Sequence, residues 1–193
     1  MLFRSKSHGL VMFLDWSGSM ANHIDNTVKQ LFALVMFCKK VNIPFEVYTF
    51  VDGDIIDEIG GRSNKTVLKR GDIICREFKL VNILSSKMSA VEFSKAGAIM
   101  TFLGKHPRYA PKWMYMHGTP LNEAIISAFN IIPEFKSYYK LQIVNTVFLT
   151  DGAGHSLNRM WDWNPEKDIE EEVYIDSSTI TVFVDPEIGR AHV

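Results

Sequence analysis

Apolar and polar positions predict a strand, a helix and a second strand at the start of the chain. A continuous apolar run from Leu10 to Leu14 ends at Asp15, which is typical of a strand buried on both faces of a mostly parallel sheet. From about Ala21 to Val41, apolar residues recur at three- and four-residue spacing and predict an amphipathic helix. Its predicted inner face comprises Ile24, Val28, Leu31, Phe32, Val35, Met36 and Cys38. Pro44 ends this helix, and residues 45–51 predict the second strand of a right-handed crossover.

The middle of the chain predicts an exposed edge and two further helices. Residues 52–61 form an acidic, glycine-bearing turn, and the charged stretch that follows to about residue 84 suits an edge strand or hairpin. Residues 88–103 have a helical pattern, whose predicted inner face comprises Val91, Phe93, Ala96 and Met100. After a loop rich in proline and aromatic residues, Thr119-Pro120 predicts a helix that runs to about residue 132. A threonine hydroxyl caps free amides, and proline suits the first helical position.

The remainder of the chain predicts a third buried strand and an acidic insertion. Residues 141–150 are strongly apolar and end at Asp151. Residues 155–176 are rich in Asp and Glu, and residues 179–184 predict a last short strand. This succession predicts an α/β fold with a doubly wound, mostly parallel sheet flanked by helices. A chain of 193 residues suits a single domain over residues 1–193.

Charge and composition argue against several classes of function. Lys and Arg number 21 and Asp and Glu number 22, a net charge of -1, so no overall field would draw the protein to nucleic acid or to an anionic membrane. No stretch reaches the roughly 18 apolar residues of a membrane span. Cys38 and Cys75 lie far apart and outside any CxxC pattern, which favours free thiols in a reducing compartment. The expected location is the cytoplasm.

Hard oxygen donors stand where the predicted parallel strands end, and ligands of open α/β sheets bind at these carboxyl ends. Asp15, Ser17 and Ser19 follow the first strand, with a glycine between the serines that permits a tight turn. Thr119 lies at a loop-to-helix junction, and Asp151 follows the third strand. Hydroxyls with few carboxylates suit an octahedral Mg²⁺ or Mn²⁺ better than Zn²⁺ or a Ca²⁺ cage. The sequence therefore predicts a metal site built from these five residues.

Each part of this pattern also has a purely structural interpretation. Asp15, Ser17 and Ser19 alone would predict a turn that caps the following helix, and Thr119 can be a helix cap and a ligand together. Two histidines, His117 and His155, lie near the predicted site in sequence. Hard cations are not expected to use them, so loop or core roles are predicted for both. No residue is assigned to catalysis.

Three segments of the chain together resemble the metal-ion-dependent adhesion site of von Willebrand factor A (VWA) domains. They are Asp15-Trp16-Ser17-Gly18-Ser19, Gly118-Thr119-Pro120-Leu121 and Leu149-Thr150-Asp151-Gly152. The resemblance covers residues 9 to about 152 and implies that Ser17, Ser19 and Thr119 contact the metal, while Asp15 and Asp151 act directly or through water. The Gly-Thr-Pro-Leu variant, followed by Asn-Glu-Ala, is similar to the CobT-like cobaltochelatase branch, which includes stand-alone relatives carried by tailed phages.

The resemblance implies a non-enzymatic, divalent-metal-dependent protein-binding module. A cation held mostly by neutral ligands keeps one position for exchangeable water, which an Asp or Glu carboxylate of a protein partner can replace. In a chelatase-like assembly the partner would be an AAA+ ATPase on another chain, because this sequence has no GxxxxGK[ST] loop for ATP. VWA domains usually have a further strand and a closing helix after the segment equivalent to residues 179–184, so this chain is expected to lack both.

Two other functions stay open on the sequence. A metal-dependent hydrolase would use the same cation to activate water, and His117, His155 and Glu123 are the candidate bases near the site in sequence. A structural protein with a vestigial site is the other alternative. The aromatic loop with Tyr109, Trp113 and Tyr115 is either a partner-facing surface beside the metal or a segment packed against the sheet.

Overall fold

The structure is a computed structural model that describes residues 7–52, 78–152, 154, 160–164 and 169–173. These residues belong to two compact units. The first contains the described residues from 7 to 154, and the second contains those from 160 to 173. The predicted turn after Asp52 and the predicted last strand at residues 179–184 lie outside the described residues.

A four-stranded sheet forms the centre of the first unit, in the order β3-β2-β1-β4. The strands are β1 (His8–Asp15), β2 (Phe45–Asp52), β3 (Phe78–Ser85) and β4 (Ile143–Leu149). β1 pairs in parallel with β2 and with β4, whereas β2 and β3 are antiparallel. The predicted α/β class is therefore confirmed, with a mixed sheet among the described strands, and the predicted edge strand corresponds to β3.

Three helices flank this sheet. α1 (Ile24–Lys40) follows β1 after a short 3-10 turn, α2 (Ala90–Lys105) follows β3, and α3 (Leu121–Tyr138) precedes β4. The predicted inner faces are buried or half-buried except at Met36 and Val91, which are 53% and 63% exposed, so these two assignments were wrong. A helix turns by about 100° per residue, and Val91 is therefore about 200° away from the buried Phe93.

Side chains of β1 alternate between two hydrophobic cores. Leu10, Met12 and Leu14 pack with the buried residues of α1 and α2, whereas Val11 and Phe13 pack with those of α3. Successive strand residues point to opposite faces of a sheet. Helices therefore cover both faces of β1, which explains why its sequence is a continuous apolar run rather than an alternating one.

The start of α3 differs from the prediction. Thr119 was expected to cap this helix with Pro120 as its first residue, but α3 begins at Leu121 and no side chain caps it. Pro120 has a non-helical ψ of 57°, and its carbonyl accepts a hydrogen bond from Ala124 N–H at 3.1 Å. The capping role of Thr119 was therefore wrong, and its side chain is buried instead, with 7% exposed.

The end of α3 also differs from the prediction, because the helix continues beyond residue 132 to Tyr138 and contains Pro133. A proline inside a helix costs roughly 3 kcal/mol through a lost hydrogen bond and a steric clash. Phe135, two residues further on, is 5% exposed and packs in the core beneath β1. Burial of this aromatic ring offsets part of the cost, and the local helix-breaking signal is overridden by tertiary packing.

β4 is less buried than predicted. Its residues are half-buried except for Asn145, which is exposed, whereas β1 is buried from Gly9 to Asp15. β1 lies between two strands, while β4 lies at the end of the strand order in the described sheet. The two apolar runs therefore differ in burial, in agreement with the central position of β1 and the terminal position of β4 among the described strands.

The second unit contains a hairpin that the sequence did not predict. β5 (Met160–Asn164) and β6 (Ile169–Val173) are antiparallel, and Trp161 is opposite Glu172 while Trp163 is opposite Glu170. Trp alternates with Asp along β5, which is a period-two signal for a strand. The high density of charge in this region hides that signal and favours an insertion without regular structure.

Two expectations from composition concern membranes and thiols. None of the helices in the part of the chain that the structure describes is both long and apolar enough to cross a bilayer. Cys38 is buried and has a free thiol, as expected. Cys75 lies outside the described residues, so the expectation for its thiol stays a prediction.

Gly9 is a position where β1 tolerates no side chain. A Cβ built on this glycine would lie 2.7 Å from Phe135 Cε1 and would overlap Leu141 Cδ1. We expect Gly9→Val to lower the free energy of unfolding by about 1–3 kcal/mol through overpacking. Denaturant unfolding without added metal measures the loss. Gly152→Val is the matched control, because a Cβ at Gly152 has no atom within 4 Å; an equal loss in both variants would contradict the packing argument.

Candidate metal centre

The segment from Asp15 to Ser19, here called the metal loop, leaves the carboxyl end of β1 at a fixed position. Trp16 is fully buried, and its backbone N–H donates to the Phe50 carbonyl of β2 at 3.0 Å. Gly18 N–H donates to the His117 carbonyl at 2.8 Å. The loop is therefore held on one side by the sheet and on the other by the segment that leads to α3.

Four of the five predicted site residues form a continuous chain of contacts. The hydroxyls of Ser17 and Ser19 are 3.0 Å apart, and Ser19 Oγ donates to Asp151 Oδ1 at 3.0 Å. Ser17 N–H donates to Asp15 Oδ1 at 2.9 Å. The parallel register between β1 and β4 produces this meeting, because it sets Leu14 opposite Leu149 and brings both strand ends to one edge of the sheet.

Thr119, the fifth predicted residue, lies near this chain without joining it. The segment that carries it contacts the metal loop through the His117 carbonyl, two residues earlier. Its side chain is buried, but among the described residues it makes no hydrogen bond to the other four site residues. His117 itself is exposed and contributes through its backbone, in agreement with the predicted loop role, while His155 lies outside the described residues.

Thr150 belongs to the site but was not predicted as a member. Its hydroxyl donates to Asp15 Oδ2 at 2.7 Å, so both carboxylate oxygens of Asp15 accept hydrogen bonds. The signal that could have identified Thr150 is its place at the end of the third apolar run, directly before Asp151. A residue at that place reaches the carboxyl end of the neighbouring parallel strand.

The electrostatic environment of Asp15 opposes its ionisation. Burial raises the pKa of Asp15 above its ordinary value of 3.8, hydrogen bonds from Thr150 and Ser17 lower that pKa, and the charge of Asp151 raises it slightly. No described lysine, arginine or histidine forms an ion pair with either carboxylate. Two neighbouring carboxylates without a cationic side chain are the arrangement that a bound cation stabilises.

The spacing and chemistry of these donors fit a small octahedral cation. Neighbouring oxygens on an octahedron with metal–oxygen distances of about 2.1 Å lie about 3.0 Å apart. The steps from Ser17 Oγ to Ser19 Oγ and from Ser19 Oγ to Asp151 Oδ1 are both 3.0 Å. The donors are hydroxyls with few carboxylates, a set that suits Mg²⁺ or Mn²⁺. Within the described ranges no group of three His, Cys, Asp or Glu side chains is placed to hold a metal.

Comparison of the chain with models of protein families, with curated proteins and with solved structures gave no match.

Replacing Asp15 by asparagine separates metal binding from stability. A buried acid with a raised pKa binds its proton more tightly in the folded state, so its ionised form lowers stability at neutral pH. We expect metal-free Asp15→Asn to be at least as stable as the parent at pH 7, and this difference in stability to disappear as the pH falls toward 3.8.

Mg²⁺ should raise the melting temperature of the parent and leave that of Asp15→Asn unchanged. Thermal unfolding with Mg²⁺ and with EDTA measures both effects; a metal-free variant less stable than the parent at neutral pH would contradict this account.

Thr150 provides a test of how the orientation of Asp15 affects the metal. Removing a hydrogen bond to a metal-site carboxylate typically lowers metal affinity by roughly 10- to 100-fold. We expect Thr150→Val to show this loss and Thr150→Ser, which keeps the hydroxyl, to bind Mn²⁺ like the parent. Isothermal titration calorimetry with Mn²⁺ measures the affinities. Equal affinities in the valine and serine variants would show that the hydroxyl has no part in binding.

Proposed function

We propose that this protein is a divalent-metal-dependent protein-binding module, in which a Mg²⁺ or Mn²⁺ ion coordinates an Asp or Glu carboxylate of a partner. The observation that carries this proposal is the chain of 3.0 Å contacts from Ser17 to Ser19 and from Ser19 to Asp151 at one edge of the sheet. This series of contacts supports four of the five predicted ligands, Asp15, Ser17, Ser19 and Asp151. Thr119, buried on the adjoining segment, completes the set if its hydroxyl turns toward the cation.

The donor set favours binding of a carboxylate over catalysis. Hydroxyl ligands donate no negative charge, and both oxygens of Asp15 already accept hydrogen bonds from Ser17 and Thr150. A cation held in this way keeps much of its positive charge and attracts an anionic ligand from outside. Ser19 and Asp151 are exposed, so the site is open to a side chain of another protein.

The wider proposal is a VWA domain with a metal-ion-dependent adhesion site, nearest to the CobT-like branch. Support comes from the three matching segments, from the parallel pairing of β1 with β2 and β4, and from helices on both faces of the sheet. In this proposal the chain is a cytoplasmic, non-catalytic subunit, and its partner is an AAA+ ATPase that offers an acidic residue.

Removing a carboxylate from the site tests the proposal directly. We expect Asp151→Ala to abolish Mg²⁺ binding, because Asp151 is the exposed carboxylate of the site and contacts Ser19. Glu134→Ala is the matched control, since Glu134 is an exposed carboxylate on α3. Isothermal titration calorimetry with Mg²⁺ compares the three proteins. Similar affinities in all three, or no binding by the parent, would refute the metal site.

Affinity capture from the native host then tests the purpose of the site. A partner retained by the parent in Mg²⁺, and lost in EDTA or with Asp151→Ala, is the expected result. Turnover of simple phosphate or ester substrates that Asp151→Ala abolishes would instead support the hydrolase. Metal binding with neither a metal-dependent partner nor turnover would favour the vestigial site.

A further inference from the structure

The segment between Glu92 and Glu123 carries a net positive charge in a chain that is nearly neutral overall. No Asp or Glu occurs between Glu92 and Glu123, while the net charge of the whole protein is only -1. Near the end of α2 and in the loop that follows, Lys105, Arg108 and Lys112 are all exposed, and none forms an ion pair with a described residue. Their charge is therefore free to act on a ligand from solution.

Aromatic side chains lie among these cations and are also exposed. Tyr109 is 64% exposed and Phe102 is 49% exposed, with ring centroids 5.9 Å apart. His106 lies 5.1 Å from the Phe102 ring, and the Arg108 guanidinium is 5.8 Å from the Tyr109 ring. We call the surface formed by Phe102, Lys105, His106, Arg108, Tyr109 and Lys112 the basic aromatic patch. Tyrosine and arginine are enriched at protein interfaces.

The backbone beneath the patch is held in place. Tyr109 N–H donates to the His106 carbonyl at 3.0 Å, and Met114 N–H donates to the Pro111 carbonyl at 2.8 Å. Ala110 and Met114 are 4% and 3% exposed and pack in the core with α1 and α2. The exposed side chains therefore project from an ordered segment, which lowers the entropy cost of binding a partner.

The two ends of this segment contact α1 and the metal loop. At one end, a Cβ built on Gly104 would lie 3.5 Å from Asp25 Cα in the first turn of α1. At the other end, the His117 carbonyl accepts the hydrogen bond from Gly18 at 2.8 Å. The patch therefore lies on a segment that is anchored to α1 at one end and to the metal loop at the other.

We propose that the basic aromatic patch docks an acidic segment of the partner protein, with apolar or aromatic residues among its acids, next to the carboxylate that reaches the metal. This inference rests on the proposed function and adds the chemistry of the partner. The cations of the patch attract the acidic segment and orient it. The exposed rings of Phe102 and Tyr109 then bury apolar surface against it.

A single-stranded nucleic acid is the competing ligand for a surface of cations and aromatic rings. The patch has only three cations, Lys105, Arg108 and Lys112, a small charge for a phosphate backbone that carries one negative charge per nucleotide. The overall charge of -1 also provides no field that attracts a polyanion. An acidic peptide needs only the local charge of the patch and the open position on the metal.

Selection from a random peptide library displayed on phage tests this inference, because a random library requires no candidate partner. The parent, the double variant Arg108→Gln/Lys112→Gln and the control Lys40→Gln/Lys136→Gln each serve as the immobilised target in Mg²⁺. The control removes the same charge from exposed lysines outside the patch.

We expect the parent and the control to enrich peptides that are rich in Asp and Glu and contain an apolar or aromatic residue. Affinity for a selected peptide should fall about tenfold or more in the double variant and weaken with added salt.

Other results would overturn the inference. These are no enrichment, enrichment without acidic residues, or the same affinity in the double variant and the parent. Binding of single-stranded oligothymidine that is tighter than peptide binding and is lost in the double variant would assign the patch to nucleic acid. Mn²⁺ titration of the same proteins separates the two proposals. Metal binding without a preference for acidic peptides would refute only the proposed role of the patch. A preference for acidic peptides without metal binding would refute the metal site and leave the proposed role of the patch intact.

Discussion

The parallel pairing of β1 with strands on both sides is the constraint on which the rest of the first unit depends. Because β1 is central, its odd and even side chains enter separate cores, one with α1 and α2 and the other with α3. Gly9 shows how closely this strand is packed, since any side chain there would meet Phe135 and Leu141. Two helical layers and two neighbouring strands are thus positioned by eight residues of sequence.

The same constraint places a charge where burial disfavours it. Asp15 is the last residue of β1 and is fully buried, so its ionised form needs compensation. Ser17 and Thr150 supply two hydrogen bonds, but no described cationic side chain pairs with it. The fold therefore carries a carboxylate that hydrogen bonds orient and that a divalent cation would stabilise further. Buried polar groups of this kind are commonly kept for function rather than stability.

The metal site and the basic aromatic patch have complementary characters. In the proposals, Asp15 and Asp151 would supply negative charge to a cation, whereas Lys105, Arg108 and Lys112 would supply positive charge to a larger anionic ligand. Joined by the contact between the metal loop and the segment before α3, they form one surface in the proposal. Coordination then provides dependence on metal, and the patch provides selection among the many proteins that offer a carboxylate.

The sequence by itself determined β1, α1 and the strand ends that carry Asp15 and Asp151, because apolar periodicity reports burial directly. It could not reveal Thr150 as a partner of Asp15, since 135 residues separate them and only strand register brings them together. It also misjudged both ends of α3. Thr119 is buried and does not cap the start, and the helix continues through Pro133 beyond the end predicted near residue 132, where burial of Phe135 offsets part of the cost of the proline. Only the tertiary structure decided that the aromatic side chains of the patch face solvent. A Phe or Tyr near the end of a helix looks the same in the sequence whether another element covers it or leaves it exposed.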